Sequence, residues 1–281
     1  ANSIGAGLYI PPGILQAGID IHYNNAVIIA AGSAVTEIRL PLTTVAITSM
    51  AFTANVATVI CASTSTLWVG RSIRVNGAST AAHNDVFIVT AIDSSTQFKC
   101  GALSNVNTGS STGGTFMAAN VIDCGKLCDG NSATAYAGLV LRGFTVNGMR
   151  GSRPNPTFSD LSDWGVALTQ FSNFNIADVR GKDCWNAGVA MFINSNFGYV
   201  QCQVENCGFS HTAPGGFDVN SSKHITLDVV SKSCNYGFRL LDNVWDVNGK
   251  VSVYNATVMG GLFNNQSLNE SHGCNIQITV E

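Results

Sequence analysis

The feature that most constrains this chain is a short phrase, begun by glycine and continued by apolar residues, that recurs between residues 138 and 281. Its copies are Gly138-Leu-Val-Leu-Arg, Gly165-Val-Ala-Leu-Thr, Gly188-Val-Ala-Met-Phe, Gly216-Phe-Asp-Val-Asn, Gly237-Phe-Arg-Leu-Leu and Gly261-Leu-Phe-Asn-Asn. The intervals between these glycines are 27, 23, 28, 21 and 24 residues. A repeat of roughly 20 to 30 residues is typical of a solenoid. We therefore expect the six glycine-started strands to stack in parallel and in register within one sheet.

A second apolar alternation follows each glycine-started strand. Examples are Ile225-Thr-Leu-Asp-Val229, Val251-Ser-Val253 and Ile276-Gln-Ile-Thr-Val280. Alternation with a period of two residues indicates β-strands, and no stretch of the repeats shows the helical period. Two or three short strands per unit, with asparagine and glycine at the corners, predict an all-β chain wound into the coils of a β-helix.

The composition agrees with a fold built from long buried ladders. Of the 281 residues, 46% are hydrophobic and 11% are charged, and 29 glycines stand against 6 prolines, which excludes a disordered chain. The net charge of −3 and the scattered basic residues predict no nucleic-acid partner. No apolar run approaches the roughly 18 residues that a membrane-spanning helix needs, so no membrane insertion is predicted.

The nine cysteines include three, Cys184, Cys207 and Cys234, at similar places in successive units. Because like positions stack in a solenoid, these three are predicted to form a ladder of buried free thiols, with disulfides as the alternative. Free thiols indicate folding in a reducing compartment, which suits a bacterial or viral product better than a secreted enzyme. Cys124 and Cys128 have metal-like spacing but no second pair, so neither a metal nor another cofactor is predicted.

The first coils carry a more specific signal. Gly7-Leu-Tyr-Ile-Pro-Pro-Gly13 is followed by an apolar strand and by Ala30-Ala-Gly-Ser-Ala-Val-Thr-Glu-Ile38. These phrases resemble the opening coils of the pectate-lyase-like superfamily of right-handed parallel β-helices, and within it they are most similar to bacteriophage tailspikes and capsule depolymerases. The resemblance covers residues 1–47 and 119–281. It implies a right-handed parallel β-helix, a homotrimer with other virion proteins as partners, and a place in the tail or fibre of a virion after synthesis in the host cytoplasm.

Residues 48–118 interrupt the solenoid pattern. Their composition shifts to Thr, Ser, Ala and Asn, and short strands are separated by turns at Asn76-Gly77 and Asp93-Ser-Ser. The segment resembles the small β-barrel or sandwich modules of phage structural proteins. The predicted organisation is β-helix coils at 1–47, a small inserted β-barrel or sandwich module at 48–118, and further coils at 119–281 that we expect to continue in a longer protein. The insert is expected to shield the first coil, or alternatively to bind sugar or a partner.

Residues 147–164 form the longest loop predicted within the solenoid, because two prolines and little apolar periodicity argue against a strand. The loop carries Arg150, Arg153, Asp160, Asp163 and Trp164. Loops on a rigid scaffold often hold function, so Arg153 and Trp164 are candidate substrate-binding residues. A solvated corner with no such role is the alternative.

Counting from each repeat glycine sorts the side chains by face, because a strand alternates them. Positions one and three are nearly all apolar and are predicted to face the core. Positions two and four are expected to point outward: Ala167, Ala190, Asp218, Arg239 and Phe263 in one column, and Thr169, Phe192, Asn220, Leu241 and Asn265 in the other. Such a mixture suits an oligosaccharide, so Arg239, Asn220, Phe192 and Phe263 are predicted to bind substrate. The alternatives are a subunit interface over the apolar side chains and a surface ion pair between Asp218 and Arg239.

Cleavage of a polysaccharide by hydrolysis requires two carboxylates roughly 5 to 10 Å apart, whereas a lyase requires a base and a cation. Asp218, Asp242 and Glu205 are the candidate catalytic residues. The calcium-binding clusters of pectate lyases and the paired aspartates of polygalacturonases are not visible in this sequence. The predicted function is that of a phage tailspike or virion fibre protein which binds a bacterial surface polysaccharide and, given a competent carboxylate pair, cleaves it. The alternatives are a non-catalytic structural or adhesive virion protein and a secreted bacterial polysaccharide lyase or epimerase.

Overall fold

The computed structural model describes residues 7–102, 108–125, 135–156, 162–210, 214–264 and 273–281, with the backbone alone at residues 102, 263 and 264. Within these ranges the chain folds into twenty-four β-strands, with short 3-10 helices at Ala81–His83 and Arg150–Ser152. No helix in the described part of the chain has the length and apolarity to span a bilayer. The strands form two parallel sheets and one antiparallel sheet.

The first parallel sheet, which we call the long sheet, contains the longest strands of the β-helix. Its strands are β1 (Gly7–Ile10), β2 (Gly13–Gln16), β4 (Val27–Ala30), β5 (Thr36–Arg39), β14 (Tyr136–Asn147), β16 (Phe171–Lys182), β18 (Asn196–Glu205), β20 (Lys223–Lys232), β22 (Trp245–Tyr254) and β24 (Asn275–Val280). They follow the order β1-β4-β14-β16-β18-β20-β22-β24, with β5 also beside β14 and β2 beside β5.

The second parallel sheet, the short sheet, lies on the other side of the core. It consists of β3 (Ile19–Ile21), β13 (Ile122–Gly125), β15 (Val166–Thr169), β17 (Val189–Phe192), β19 (Gly215–Asn220), β21 (Tyr236–Leu241) and β23 (Met259–Asn264), stacked in that order. From β13 onward the chain alternates between the short and the long sheet, so each circuit is one coil of a parallel β-helix. The predicted fold class is confirmed.

The predicted stack of six glycine-started strands is wrong for one strand and one register. The strand that contains Gly138 is β14 of the long sheet, where Leu139 pairs with Phe174 and faces the core. The other five strands stack in parallel in the short sheet, but Phe238 pairs with Gly261 rather than with the residue after it. Gly260 is therefore the structural counterpart of Gly237.

The repeat glycines of the short sheet are explained by close approach of neighbouring atoms and not by an unusual backbone angle. A Cβ added to Gly188 would lie 3.0 Å from Val204 Cγ1 of the long sheet, and one added to Gly237 would lie 2.4 Å from Val253 Cγ1. Real Cβ contacts this short would require the valines to move. Glycine thus lets the last inward-facing side chain of each long strand pack against the backbone at the start of the next short strand.

Three thiols repeat the same geometry inside the coil. Cys184, Cys207 and Cys234 are free and buried, and each Sγ lies near the carbonyl oxygen two residues earlier, at 3.3, 3.1 and 3.3 Å respectively. Burial raises the pKa of the Cys207 thiol well above its usual value. The structure therefore agrees with the predicted ladder of free thiols.

The antiparallel sheet is a closed barrel formed between β5 and β13. Its strands are β6 (Val45–Thr53), β7 (Val56–Cys61), β8 (Ser72–Asn76), β9 (Val86–Ser94), β10 (Gln97–Ala102), β11 (Gly109–Thr112) and β12 (Thr115–Ala118). In its described part the order β6-β12-β8-β9-β10-β7 closes through pairing of β6 with β7, and β11 also pairs with β6. The barrel has its own core, which includes Phe52, Phe87, Phe98 and Phe116. The division of the chain into domains at 1–47, 48–118 and 119–281 stays a prediction.

Candidate functional site

The barrel packs on the outer face of the short sheet. Ile88 of β9 clusters with Trp164 and Ala167, and Phe192 of β17 packs against the same cluster. The rings of Trp164 and Phe192 stack with their centroids 4.3 Å apart, and Trp164 is 3% exposed. The structure therefore places these two predicted substrate-binding aromatics in a packed interface, where Phe192 is partly buried by residues of the same chain.

Arg153, another predicted substrate-binding residue, is buried in a network that ties the barrel to the loop after β14. Its Nε donates to Asp163 Oδ1 at 2.8 Å, and its Nη2 donates to the Ala118 carbonyl at 2.7 Å. Arg74 of the barrel donates to the other carboxylate oxygen of Asp163 and, at 2.8 Å, to the Pro154 carbonyl. Two buried guanidinium groups thus share one buried carboxylate, and removing Asp163 would leave both of their charges uncompensated.

Asp218 and Arg239 face each other on neighbouring strands, as predicted, but their pair is buried rather than on the surface. The Arg239 Nε and Nη2 atoms donate to the two Asp218 oxygens at 2.9 and 2.6 Å, and the Gly215 N–H donates to Oδ1 at 3.0 Å. Asp218 is 1% exposed. Burial raises the pKa of Asp218 against the lowering effect of the guanidinium. This geometry is that of a structural ion pair.

The remaining residues predicted to bind substrate do not extend this pair into a groove. Asn220 is half-buried, and its side-chain oxygen accepts a hydrogen bond from Ser221 at 2.7 Å. The backbone of Phe263 pairs with Leu240 and not with Arg239, so Phe263 is out of the expected column. The side chain of Phe263, like all of Asn265 and Asp160, lies outside the described residues.

The three predicted catalytic carboxylates lie on three different elements. Asp218 is on β19 of the short sheet, whereas Glu205 ends β18 of the long sheet and pairs with Arg180. Asp242 lies in the corner after β21, where its backbone is left-handed with φ 54°. The structure does not gather these carboxylates around one point, so their catalytic role stays a prediction.

An open groove lies where the long sheet turns toward the short sheet, beside the loop that follows β14. Its volume is about 670 Å³, and it is lined among others by Arg39, Asn147, Arg150, Asp183, Trp185 and Asn206. We call it the corner groove. Both the loop and the corners of two successive coils contribute to it, so its residues come from four separate parts of the sequence.

Local backbone geometry fixes the wall of the corner groove. Asp183 and Asn206 occupy corresponding corners of two coils and both have left-handed backbones, with φ 51° and 56°, a conformation that Asp and Asn tolerate. Asn206 Nδ2 donates to Asp183 Oδ1 at 2.5 Å. The Arg150 N–H donates to the Asp183 carbonyl at 2.8 Å. These bonds hold Arg150 over the stacked corners.

The side chain of Arg150 combines charge with aromatic surface. Its guanidinium carbon lies 4.2 Å from the ring centroid of Phe209 and 5.5 Å from that of Trp185, and Nη2 donates to Asn206 Oδ1. Trp185 is itself held by a hydrogen bond from Nε1 to the Arg153 carbonyl at 3.0 Å. Within the described ranges Arg150 forms no ion pair with a carboxylate. No described carboxylate therefore competes with a ligand for its charge.

A strip of paired charges continues the corner groove along the ends of the long strands. Glu37 accepts hydrogen bonds from Arg39 Nε at 2.6 Å and from Asn147 Nδ2 at 2.8 Å, and it lies 3.3 Å from Lys182 Nζ. Burial opposes ionisation of Glu37, but these three partners lower its pKa to about 2. Glu37 is therefore ionised at neutral pH and has no proton to donate.

The described residues of the groove and the strip carry an excess of positive charge. Apart from Arg153, which is paired with Asp163, the cations are Arg39, Arg150, Arg180 and Lys182, and the carboxylates are Glu37, Asp183 and Glu205. Guanidinium groups and amides recognise carboxylates and hydroxyls, while Trp185 offers ring surface. No cluster of three or more potential metal ligands occurs among the described side chains, and Cys128 lies outside them. The arrangement is suited to binding an acidic carbohydrate.

Sequence reasoning missed Trp185, Asn206 and Phe209 and treated Arg150 only as one member of a loop. A usable signal was present, since Trp185 and Asn206 directly flank Cys184 and Cys207. Residues beside stacked corner cysteines must themselves lie at neighbouring corners. The glycine-started strands carry the stronger repeat in the sequence, but their outer face is partly covered by the barrel.

No family model matches the chain, and no curated protein matches it. Among solved structures it is similar to the N-terminal fragment of gene product 12 of bacteriophage Phi29 (13% identity, 96% of this chain and 38% of that one, TM-score 0.47). It is also similar to XylC in complex with xylose (9%, 99% and 65%, TM-score 0.39) and to the Gp54 tailspike of Acinetobacter baumannii bacteriophage AP22 in complex with capsular saccharide (10%, 98% and 63%, TM-score 0.24). The chain thus spans less than two thirds of each of these structures. Likeness at this distance carries no argument about function.

Proposed function

We propose that this chain is the polysaccharide-binding part of a phage tailspike or related virion fibre, and that the corner groove binds an acidic bacterial surface polysaccharide. The proposal rests on the geometry of Arg150. Hydrogen bonds to Asn206 and to the Asp183 carbonyl fix this residue, and its guanidinium group stacks on Phe209. A preorganised guanidinium costs little entropy when it binds a sugar carboxylate.

The surroundings of Arg150 favour a sugar over a small inorganic anion. Trp185 is half-buried beside the guanidinium, so part of its ring can cover the apolar face of a pyranose. Asn147 and Asp183 offer an amide and a carboxylate for hydroxyl groups at the same groove. The strip of Arg39, Lys182 and Arg180 gives a long acidic chain further places to bind.

The side chains of the groove favour binding of the polysaccharide without cleavage. Hydrolysis needs a protonated carboxylic acid beside a second carboxylate, whereas Glu37 is held ionised by its three partners and Glu205 is paired with Arg180. The second candidate is therefore a non-catalytic adhesive virion protein that uses the same groove. A secreted lyase or epimerase remains the third, since Lys182 and Arg180 could neutralise a sugar carboxylate.

The placement in a virion and the homotrimeric state are also proposals, and both rest on the resemblance of the first coils to tailspikes. Sedimentation of the chain alone and of a longer gene product, where one exists, measures the subunit number directly. Three copies per particle would support the homotrimer, and a monomer at all concentrations would contradict it.

The proposal is tested with a panel of acidic capsular polysaccharides and the carboxyl-reduced derivative of each, which differs from its parent only in the carboxylates. Binding is measured by calorimetry, and cleavage by reducing ends and by the absorbance of unsaturated products. We expect binding to the acidic polymer that weakens as salt is raised and is at least tenfold weaker for the reduced polymer. Equal affinity for both polymers across an acidic panel would contradict the proposal.

A further inference from the structure

A second cavity lies at the junction between the barrel and the first coils. Its volume is about 490 Å³, within the usual range for small-molecule sites. The exposed side chains of Gln16, Thr43 and Thr66 border it, and so does Trp68, which is 40% exposed. We call it the junction cavity. None of its residues belongs to the corner groove.

The inner wall of the junction cavity is apolar and rigid. Leu67, Ile73, Phe116 and Met117 line it, and none of the four is more than 9% exposed. Leu67, Ile73 and Phe116 belong to the barrel core. The wall is therefore already formed before a ligand binds. A preformed apolar wall beside a few polar groups is the usual constitution of a ligand site, and such sites are common where two folding units meet.

The buried side chain of Arg71 packs against Trp68, the aromatic residue of this cavity. Arg71 is 6% exposed, and its guanidinium carbon lies 3.9 Å from the ring centroid of Trp68. Behind it lie Asp20 and Asp123, whose charges both act on the guanidinium. A Cβ added to Gly18 would lie 3.1 Å from Arg71 Nη2, so the glycine leaves the space in which the guanidinium sits.

We propose that the junction cavity is a second carbohydrate site, which takes one uncharged sugar residue with its apolar face on Trp68. The aromatic ring and the apolar wall suit the carbon face of a pyranose, and the side chains of Gln16, Thr43 and Thr66 suit its hydroxyl or acetamido groups.

The ligand is uncharged because of the groups already present. Arg71 is engaged by Asp20, Asp123 and the Trp68 ring, so it offers no free charge to a sugar carboxylate. The described lining of the cavity holds no carboxylate with which the ammonium group of an amino sugar could pair. A neutral residue, such as a deoxyhexose or an N-acetylhexosamine, avoids both costs.

The test uses the full chain titrated with L-rhamnose, N-acetyl-D-glucosamine and N-acetyl-D-galactosamine, with D-glucuronic acid and D-glucosamine as charged counterparts. Tryptophan fluorescence and calorimetry both report binding. We expect saturable binding of at least one neutral sugar and at least tenfold weaker binding of the charged ones. Thr66→Phe, which fills the mouth from an exposed position, and Trp68→Ala should each weaken binding at least tenfold.

Two controls separate this site from the corner groove. Trp245→Ala removes another tryptophan of equal exposure, 40%, and Arg150→Ala removes the groove cation, and both should leave the binding of the neutral sugar unchanged. The proposal is overturned if no neutral sugar binds saturably, if a charged counterpart binds more tightly, or if Thr66→Phe and Trp68→Ala bind as the unmodified chain does. Loss of polysaccharide binding in Arg150→Ala with the neutral sugar retained would show that the two sites are independent.

Discussion

Asp20 and Asp123 occupy the same position on neighbouring strands of the short sheet, and Arg71 of the barrel lies beside both carboxylates. Asp123 also accepts hydrogen bonds from Ser72 of the barrel and, at 2.9 Å, from Asn120. Burial and the charge of Asp123 raise the pKa of Asp20 to about 7, although Arg71 acts in the opposite direction. The contact between barrel and β-helix is therefore linked to protonation.

The first prediction is that this contact is weakened by raising the pH. The folded protein holds the Asp20 proton up to about pH 7, whereas the unfolded chain releases it near 3.8, so the free energy of unfolding falls as the pH rises between these values. The largest effect is roughly 4 kcal/mol, at about 1.4 kcal/mol per pKa unit.

Urea unfolding at pH 5 and pH 8 measures this effect. The unmodified chain should be less stable at pH 8, and Asp20→Asn should remove most of the difference by raising the stability at pH 8. Asp93→Asn, at an exposed barrel position, is the matched control and should leave the difference intact. Identical pH dependence in Asp20→Asn and the unmodified chain would rule out the assignment.

The second prediction concerns Asp163, which is fully buried between Arg74 and Arg153. Asp163→Asn leaves two buried guanidinium groups without their carboxylate, so we expect a loss of about 3 to 5 kcal/mol in the free energy of unfolding. Arg153→Lys keeps the charge but loses the donors to Ala118 and Pro41, and a smaller loss is expected. Chemical denaturation at pH 7 measures both. A change below about 1 kcal/mol for Asp163→Asn would contradict the network.

The third prediction is that Asp218→Asn acts on stability and not on ligand binding. It removes a buried partner of Arg239, so we expect a loss of about 3 kcal/mol. Asp228→Asn, an exposed carboxylate on the next long strand, should change stability by less than about 0.5 kcal/mol. Both variants should bind polysaccharide normally at a temperature where they remain folded. If Asp218→Asn has the stability of the unmodified chain but no longer binds polysaccharide, Asp218 belongs to the ligand site and the prediction is wrong.

The sequence predicted the coils because their pattern is periodic. Equivalent positions of stacked strands have the same environment in every coil. The buried columns and the Cys184–Cys207–Cys234 ladder could therefore be predicted from their distance to the repeat glycines. The strand at Gly138 was assigned to the wrong sheet because apolar alternation has the same form in both sheets. The register at Gly260 was missed for a related reason, since Gly260 and Gly261 are adjacent and either could fill the repeat position.

The candidate site was harder to predict because it depends on contacts between distant segments. No local pattern shows that the barrel folds back over Trp164 and Phe192, although the aromatic ring of Phe192 in an outward column does indicate that something covers it. The corner groove brings Arg39, Arg150, Trp185 and Asn206 together, although Arg39 precedes the other three by more than a hundred residues. Only the stacking of coils makes them neighbours.

The central claim, that the corner groove binds an acidic polysaccharide through Arg150, is tested most directly by comparing Arg150→Ala with Arg142→Ala. Arg142 is an exposed arginine of the long sheet with no part in the groove. Affinity for one acidic capsular polysaccharide is measured by calorimetry for both variants and the unmodified chain. Losing a charge-assisted hydrogen bond costs about 1.5 to 3 kcal/mol, so Arg150→Ala should bind roughly 10- to 100-fold more weakly, while Arg142→Ala should bind within about twofold of the unmodified chain. Equal affinities for all three proteins would contradict the claim.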